Sequence, residues 1–212
     1  KEFAGERGFL YPPFAALVFA PLGALPFKVA AFIFYVGNFA LWGGCFYYLK
    51  KIFAPLFSSQ KPLKIALWLS FFLSFKLFWN NVMMVQSNAL VLFVSILGIY
   101  HFMEKREDWA IFFFGAATSI KVTPVFFFFW AVFRGSKWAL PKSFLAAALF
   151  IVLPMLVSGP TQGVEDLQSY YNDFITQYTQ GKVGISYANQ SLGGALYRVF
   201  SYTKESGQDF YF

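Results

Sequence analysis

Charge is what this sequence has least of. Only 13% of its 212 residues are Asp, Glu, Lys or Arg, about half the roughly 25% of an ordinary soluble domain. Such a chain has too little polar surface to cover itself in water, which excludes a soluble globular domain. Cysteine is nearly absent: Cys45 stands alone, and one thiol closes no internal disulfide. The one histidine, His101, has no partner at metal-ligand spacing. That points away from a zinc or haem centre, and no cofactor is expected. No signal peptide is visible either.

What the chain has is apolar surface. Hydrophobic residues make up 58% and aromatics 23%, with 31 Phe. Apolar runs recur between short basic clusters, as in polytopic helical membrane proteins. The net charge of +7 does not imply nucleic acid as a partner. The basic residues sit at the ends of apolar runs, as Lys50-Lys51, Lys105-Arg106 and Arg134-Gly135-Ser136-Lys137, which is topological charge. The expected fold is an all-α polytopic membrane bundle of about six transmembrane helices. An interfacial N-terminal segment precedes it and an outer C-terminal loop follows it.

Six apolar runs cover about 26–50, 63–79, 88–103, 109–122, 123–134 and 142–158. The fourth and fifth are short of the roughly 20 residues that span a bilayer. Residues 109–134 form either one kinked helix or a hairpin turning at Lys121-Val122-Thr123-Pro124. The positive-inside rule favours the hairpin. It places Lys50, Lys51, Lys61, Lys64, Lys105, Arg106, Arg134, Lys137 and Lys142 on one side, nine of the 17 basic residues. A kinked helix breaks that pattern and leaves Lys121 near mid-bilayer, at a cost of a few kcal/mol. With arms this short, the hairpin turn sits below the outer surface or in a locally thinned bilayer. Irregular backbone at that depth belongs beside a cavity. The segment from Tyr11-Pro12-Pro13 to Pro26 is broken by prolines and reads as amphipathic or re-entrant. Residues 1–158 are expected to form the membrane module and 159–212 an extracytoplasmic, tyrosine-rich loop.

Four motifs fall on the expected outer side. Phe9-Leu10-Tyr11-Pro12-Pro13 holds a tyrosine on a stiff backbone, which also suits an aromatic anchor at a helix start. Lys76 with Trp79-Asn80-Asn81, then Gln86-Ser87-Asn88, crowds amides into a turn. Helix capping by Ser87 or Asn88 is the plainer use of those residues. Ser119-Ile120-Lys121-Val122-Thr123-Pro124 sets a lysine between hydroxyls in an apolar hairpin. That lysine either snorkels to the surface or stands ready for an anion, in a lipid slot a phosphate. Asn189-Gln190-Ser191-Leu192, followed by Arg198, matches a glycosylation sequon and equally a helix cap. Glu165, Asp166 and Asp173 lie nearby, but no carboxylate pair has a spacing that demands catalysis.

Taken in order, with Ala20-Pro21-Leu22, Leu25-Pro26 and Gly37-Asn38 between them, these motifs resemble the family 87 glycosyltransferases. Those are polyprenyl-phosphate-mannose-dependent mannosyltransferases of the GT-C class. The resemblance covers nearly the whole chain. It implies a first helix, a long outer loop closed by the Tyr-Pro-Pro element, six further helices and a second outer loop. It also implies an aspartate base before the Tyr-Pro-Pro motif, upstream of Lys1, so both ends are expected to be cut and the fragment alone inactive. Lys121, Lys76 and Arg198 become candidates for the donor phosphate. Tyr11, Asn80, Gln86, Asn88, Thr123, Asn189, Gln190 and Ser191 become candidates for substrate binding. The expected partners are a polyprenyl-phosphate sugar donor, a lipid or glycan acceptor and membrane lipids, in a bacterial inner membrane with the site outward. A transporter or flippase is the rival, but it calls for polar groups along a path and an internal repeat, and no repeat is found.

Overall fold

The structure is a computed structural model that describes residues 11–176. These fall in two compact units, Tyr11–Leu167 and a second containing Gln168–Phe212. In the first, helices α1 (Pro13–Gly23), α2 (Phe27–Phe53), α3 (Gln60–Met83), α4 (Asn88–Met103) and α5 (Glu107–Ile120) follow one another. A 3₁₀ turn (Thr123–Val125), α6 (Phe126–Arg134), α7 (Ala139–Ser158) and α8 (Pro160–Tyr170) complete the order, with α8 from Gln168 onward belonging to the second unit. The described residues contain no strand, so the all-α expectation holds. Beyond α8 the chain winds into a π-helical turn, Tyr171–Ile175, where Thr176 Oγ1 donates to the Tyr171 carbonyl at 3.1 Å.

Among the described residues, three stretches are long and apolar enough to cross a membrane: Phe27–Leu56, Gln60–Met83 and Ala139–Ser158. At 1.5 Å per residue the helices α2 and α3 measure about 40 and 36 Å, against a hydrocarbon core of about 30 Å. α4 and α5 measure only about 24 and 21 Å. α1 has Pro13 at its first position, where a missing N–H does no harm. Its sequence, PFAALVFAPLG, carries no polar side chain, so α1 is apolar all round and the amphipathic alternative does not apply.

The competing readings of residues 109–134 are settled by contact between the two arms. A single helix would separate Glu107 from Ser136 by about 44 Å. Instead the Ser136 N–H and Oγ donate to the Glu107 carboxylate at 2.5 and 2.7 Å. Lys142 Nζ reaches the same carboxylate at 2.9 Å and Asp108 at 2.7 Å. Higher up, the Phe114 and Phe127 rings stack with centroids 5.1 Å apart. The hairpin turns because Pro124 has no N–H and its ring clashes with the carbonyl four residues back. That carbonyl belongs to Ile120, the last residue of α5, and Lys121 follows in extended backbone (φ −151°, ψ 128°).

The remaining helices alternate in direction. Trp42 stacks on Phe78 at 4.1 Å, and Phe46 meets Phe71, so α2 and α3 are antiparallel. Gly44 faces Phe93 and Tyr48 meets Tyr100, so α2 and α4 run together. α4 and α5 are antiparallel, with His101 stacked on Phe113 and Asn88 bonded to Lys121. Three interfaces use one device: Gly44 of α2 faces Phe93, Gly98 of α4 faces Phe114, and Gly115 of α5 faces Phe150. A missing Cβ lets a ring lie against backbone, the close approach that membrane helices use when no hydrophobic effect drives them together. The nine basic residues at the helix ends therefore gather at one end of the bundle. At the opposite end lie the α3–α4 turn, the α5–α6 turn and the start of α1.

Candidate functional site

The site begins where α3 stops. Met84 closes the helix, Val85 takes φ 51°, and Gln86 follows. The Val85 N–H donates to the Val82 carbonyl at 3.1 Å and the Gln86 N–H to the Asn81 carbonyl at 3.0 Å. These two bonds form a Schellman cap, whose left-handed position is usually glycine. A β-branched residue there is a true backbone outlier, and such strain collects at ligand clamps. The same cap ends α4, with Lys105 at φ 59°.

Four residues from three elements meet beyond this cap. Asn88, the first residue of α4, accepts a hydrogen bond on Oδ1 from Lys121 Nζ at 2.7 Å. Its Nδ2 donates to Gln86 Oε1 at 2.7 Å and to Asn81 Oδ1. Asn81 Nδ2 in turn donates to the Leu77 carbonyl at 3.0 Å. The α3–α4 turn and the α5–α6 turn, 33 residues apart in sequence between Asn88 and Lys121, are thus one polar cluster. The motif around Tyr11 lies close by: Tyr11 and Phe14 pack with Ala15, Val91 and Ile120, of which Ile120 precedes Lys121 and Val91 lies one helical turn after Asn88.

The cluster carries an uncancelled charge. Lys121 is half-buried and makes no ion pair among the described residues. The acids of the α4–α5 corner, Glu104, Glu107 and Asp108, stand at the far end of α5, about 20 Å along its axis. Of the three N–H groups on a lysine ammonium, one serves Asn88. Two buried hydroxyls border the cluster in sequence, Ser87 Oγ and Thr118 Oγ1, and neither has a hydrogen-bond partner among the described residues. Ser87 occupies the N-cap position of α4 but makes no capping bond. Its ψ of 6° is outside the extended region that N-capping needs, so the capping expectation fails for Ser87. Asn88, the other residue offered as a cap, turns its side chain to Lys121.

An apolar cavity of about 220 Å³ lies on the same side, lined by Leu22, Phe27, Ala30, Ala31, Phe34, Tyr35 and Val85. It adjoins Gln86 through Val85. Lys76, Asn80 and Thr123 are exposed, and their side chains make no hydrogen bond among the described residues. Asn189, Gln190, Ser191 and Arg198 lie outside the described residues. Asn81 is the member that residue-by-residue reading passes over in favour of Asn80. Helix phase distinguishes them: Asn81 is three residues after buried Phe78 and shares its face, whereas Asn80 is two after it and points away.

The sequence model of glycosyltransferase family 87 matches residues 9–210. The chain belongs to glycosyltransferase family 87. Neither the curated proteins nor the solved structures contain a match. Membership makes this family 87 chain part of a membrane glycosyltransferase, an enzyme with a sugar donor and an acceptor. Its Lys121 ammonium is half-buried and held by the Asn88 amide, with no carboxylate in ion-pair contact among the described residues.

Proposed function

We propose that this protein transfers a hexose, mannose by the family resemblance, from a polyprenyl phosphate donor to a lipid or glycan acceptor at the outer face of the membrane. One observation carries the proposal: Lys121, in a hairpin turn that joins two apolar arms, is held by Asn88 and pairs with no acid among the described residues. With the charged end of the bundle at the inner interface, a 21 Å arm leaves Lys121 about 10 Å short of the outer edge of the hydrocarbon. A lipid phosphate that dips below the headgroups meets an ammonium there. The apolar cavity beside Val85 gives that side of the protein room for apolar chains.

In the transfer, the acceptor hydroxyl oxygen bonds to the anomeric carbon while the bond from that carbon to the phosphate oxygen breaks. The bonding pair leaves with the phosphate, and the hydroxyl proton passes to a carboxylate base. Charge grows on the departing phosphomonoester, and Lys121 stabilises it where water is scarce. Tyr11, Gln86 and Asn88 border that phosphate position. Arg198 as a further cation, and Asn189, Gln190 and Ser191 as sugar contacts, extend the proposal to the residues after α8.

The test uses membranes carrying the complete protein and radiolabelled polyprenyl phosphate hexoses. Label moving from the mannosyl donor to an extractable lipid or glycan is the expected result. Label that moves only from nucleotide sugars refutes the donor, and label that crosses the membrane untransferred favours a flippase.

A further inference from the structure

The four-residue cluster has a direction, and hydrogen-bond chemistry alone fixes it. At one end stands the Leu77 carbonyl, which can only accept. Asn81 must therefore turn Nδ2 toward it, as observed at 3.0 Å, and present Oδ1 to Asn88. At the other end stands the Lys121 ammonium, which can only donate. Asn88 must turn Oδ1 toward it, leaving Nδ2 for Asn81 and Gln86. Both amide hydrogens of Asn88 are then used, and both ends require the same orientation. No flip of Asn81 or Asn88 satisfies the pattern.

We infer that Asn81, Gln86 and Asn88 are positioning residues that aim the Lys121 ammonium, and that they do not themselves bind the sugar. The inference rests on the anion-binding role given to Lys121 above and deepens it. Lysine has four rotatable side-chain bonds and, unassisted, would sweep a wide arc or snorkel away from the membrane. An amide chain anchored on the backbone of α3 holds it in place. The use of amides is itself informative. A carboxylate at position 88 would hold the ammonium more tightly, but would cancel the charge that an anion needs. Three neutral side chains give direction without neutralisation. They also couple α3, α4 and α5, so the α3–α4 turn sets the position of a group on the α5–α6 turn.

The test is binding of a polyprenyl monophosphate, in nanodiscs, to the complete protein and its variants, with the melting temperature followed in parallel. Lys121→Ala is expected to weaken binding about tenfold or more, the scale of one charge-assisted contact. Asn88→Ala is expected to weaken it several-fold in the native background and to add nothing in the Lys121→Ala background, because its effect passes through the lysine. Asn88→Asp, which keeps the shape of the side chain, is expected to bind as poorly as Lys121→Ala. Should Asn88→Ala not fold, Gln86→Ala carries the same cycle from a residue outside the helices. Equal losses from Asn88→Ala in both backgrounds, or native binding by Asn88→Asp, overturn the inference. Native binding by Lys121→Ala overturns the anion-binding role beneath it. A full Lys121 effect with native binding in Asn88→Ala overturns the amide chain alone.

Discussion

Replacing Val85 by glycine is expected to stabilise the protein, although most changes of a large side chain to glycine do the reverse. Val85 occupies the left-handed position of the α3 cap at φ 51°. That conformation costs a side chain-bearing residue about 1–2 kcal/mol, and branching at Cβ puts valine at the upper end. Glycine removes the strain but adds backbone freedom to the unfolded chain, worth about 0.5–1 kcal/mol against it. The valine has little packing to lose, since it is 60% exposed. The balance is a gain of about 1 kcal/mol, or a rise of about 2–4 °C in melting temperature for a chain of this size. Lys105→Gly is the internal control. It sits in the same cap at φ 59° without a branched Cβ, so its gain is smaller, about 0.5 kcal/mol or less. The assay is thermal unfolding in detergent followed by tryptophan fluorescence. A lower melting temperature for Val85→Gly, or a larger gain for Lys105→Gly, would refute the reasoning.

Other outcomes follow from the hairpin and its packing. Glu107→Ala removes the acceptor for Ser136 and one of two for Lys142, and is expected to destabilise by about 2–3 kcal/mol. Glu107→Gln should fall between it and the native protein, and a melting temperature unchanged within error would count against the staple. Gly98→Ala drives a Cβ into the fully buried Phe114 ring and is expected to cost about 1–3 kcal/mol. Adding Phe114→Leu should recover part of that loss, and strictly additive losses would show that the two do not touch. In a background with the buried Cys45 replaced, cysteines at Lys137 and at the exposed Ala24 before α2 should react with an impermeant thiol reagent from opposite faces of the membrane. Labelling from one face would break the topology.

Much of this architecture is legible in the sequence because apolar runs and basic clusters report directly on membrane helices. The run at 88–103 coincides with α4, and positive charge alone selects the hairpin that the contact of Glu107 with Ser136 displays. Boundaries are less legible where a helix continues on polar residues. α3 runs on through Asn80 and Asn81 to Met83, because the Asn81 amide bonds to the Leu77 carbonyl within the helix and the exposed Asn80 side chain leaves the helix unbroken. Lys121, Gln86 and Asn88 stand out in sequence as polar residues in apolar surroundings. Their meeting does not, because it depends on α4 and α5 packing antiparallel with Gly98 against Phe114. The left-handed turn at Val85 is invisible for a plain reason: residue type argues against it, and only the cap geometry reveals it.

The central claim is that Lys121 stabilises a departing lipid phosphate, and sugar transfer by a Lys121→Ala variant tests it most directly. Initial rates from a polyprenyl phosphate mannose should fall by about 10²–10³-fold, the scale for removing one fixed electrostatic contact at a reacting centre. The variant should keep a native melting temperature, and Lys121→Arg should retain part of the activity. Transfer by a folded Lys121→Ala protein within a few-fold of the native rate would contradict the account.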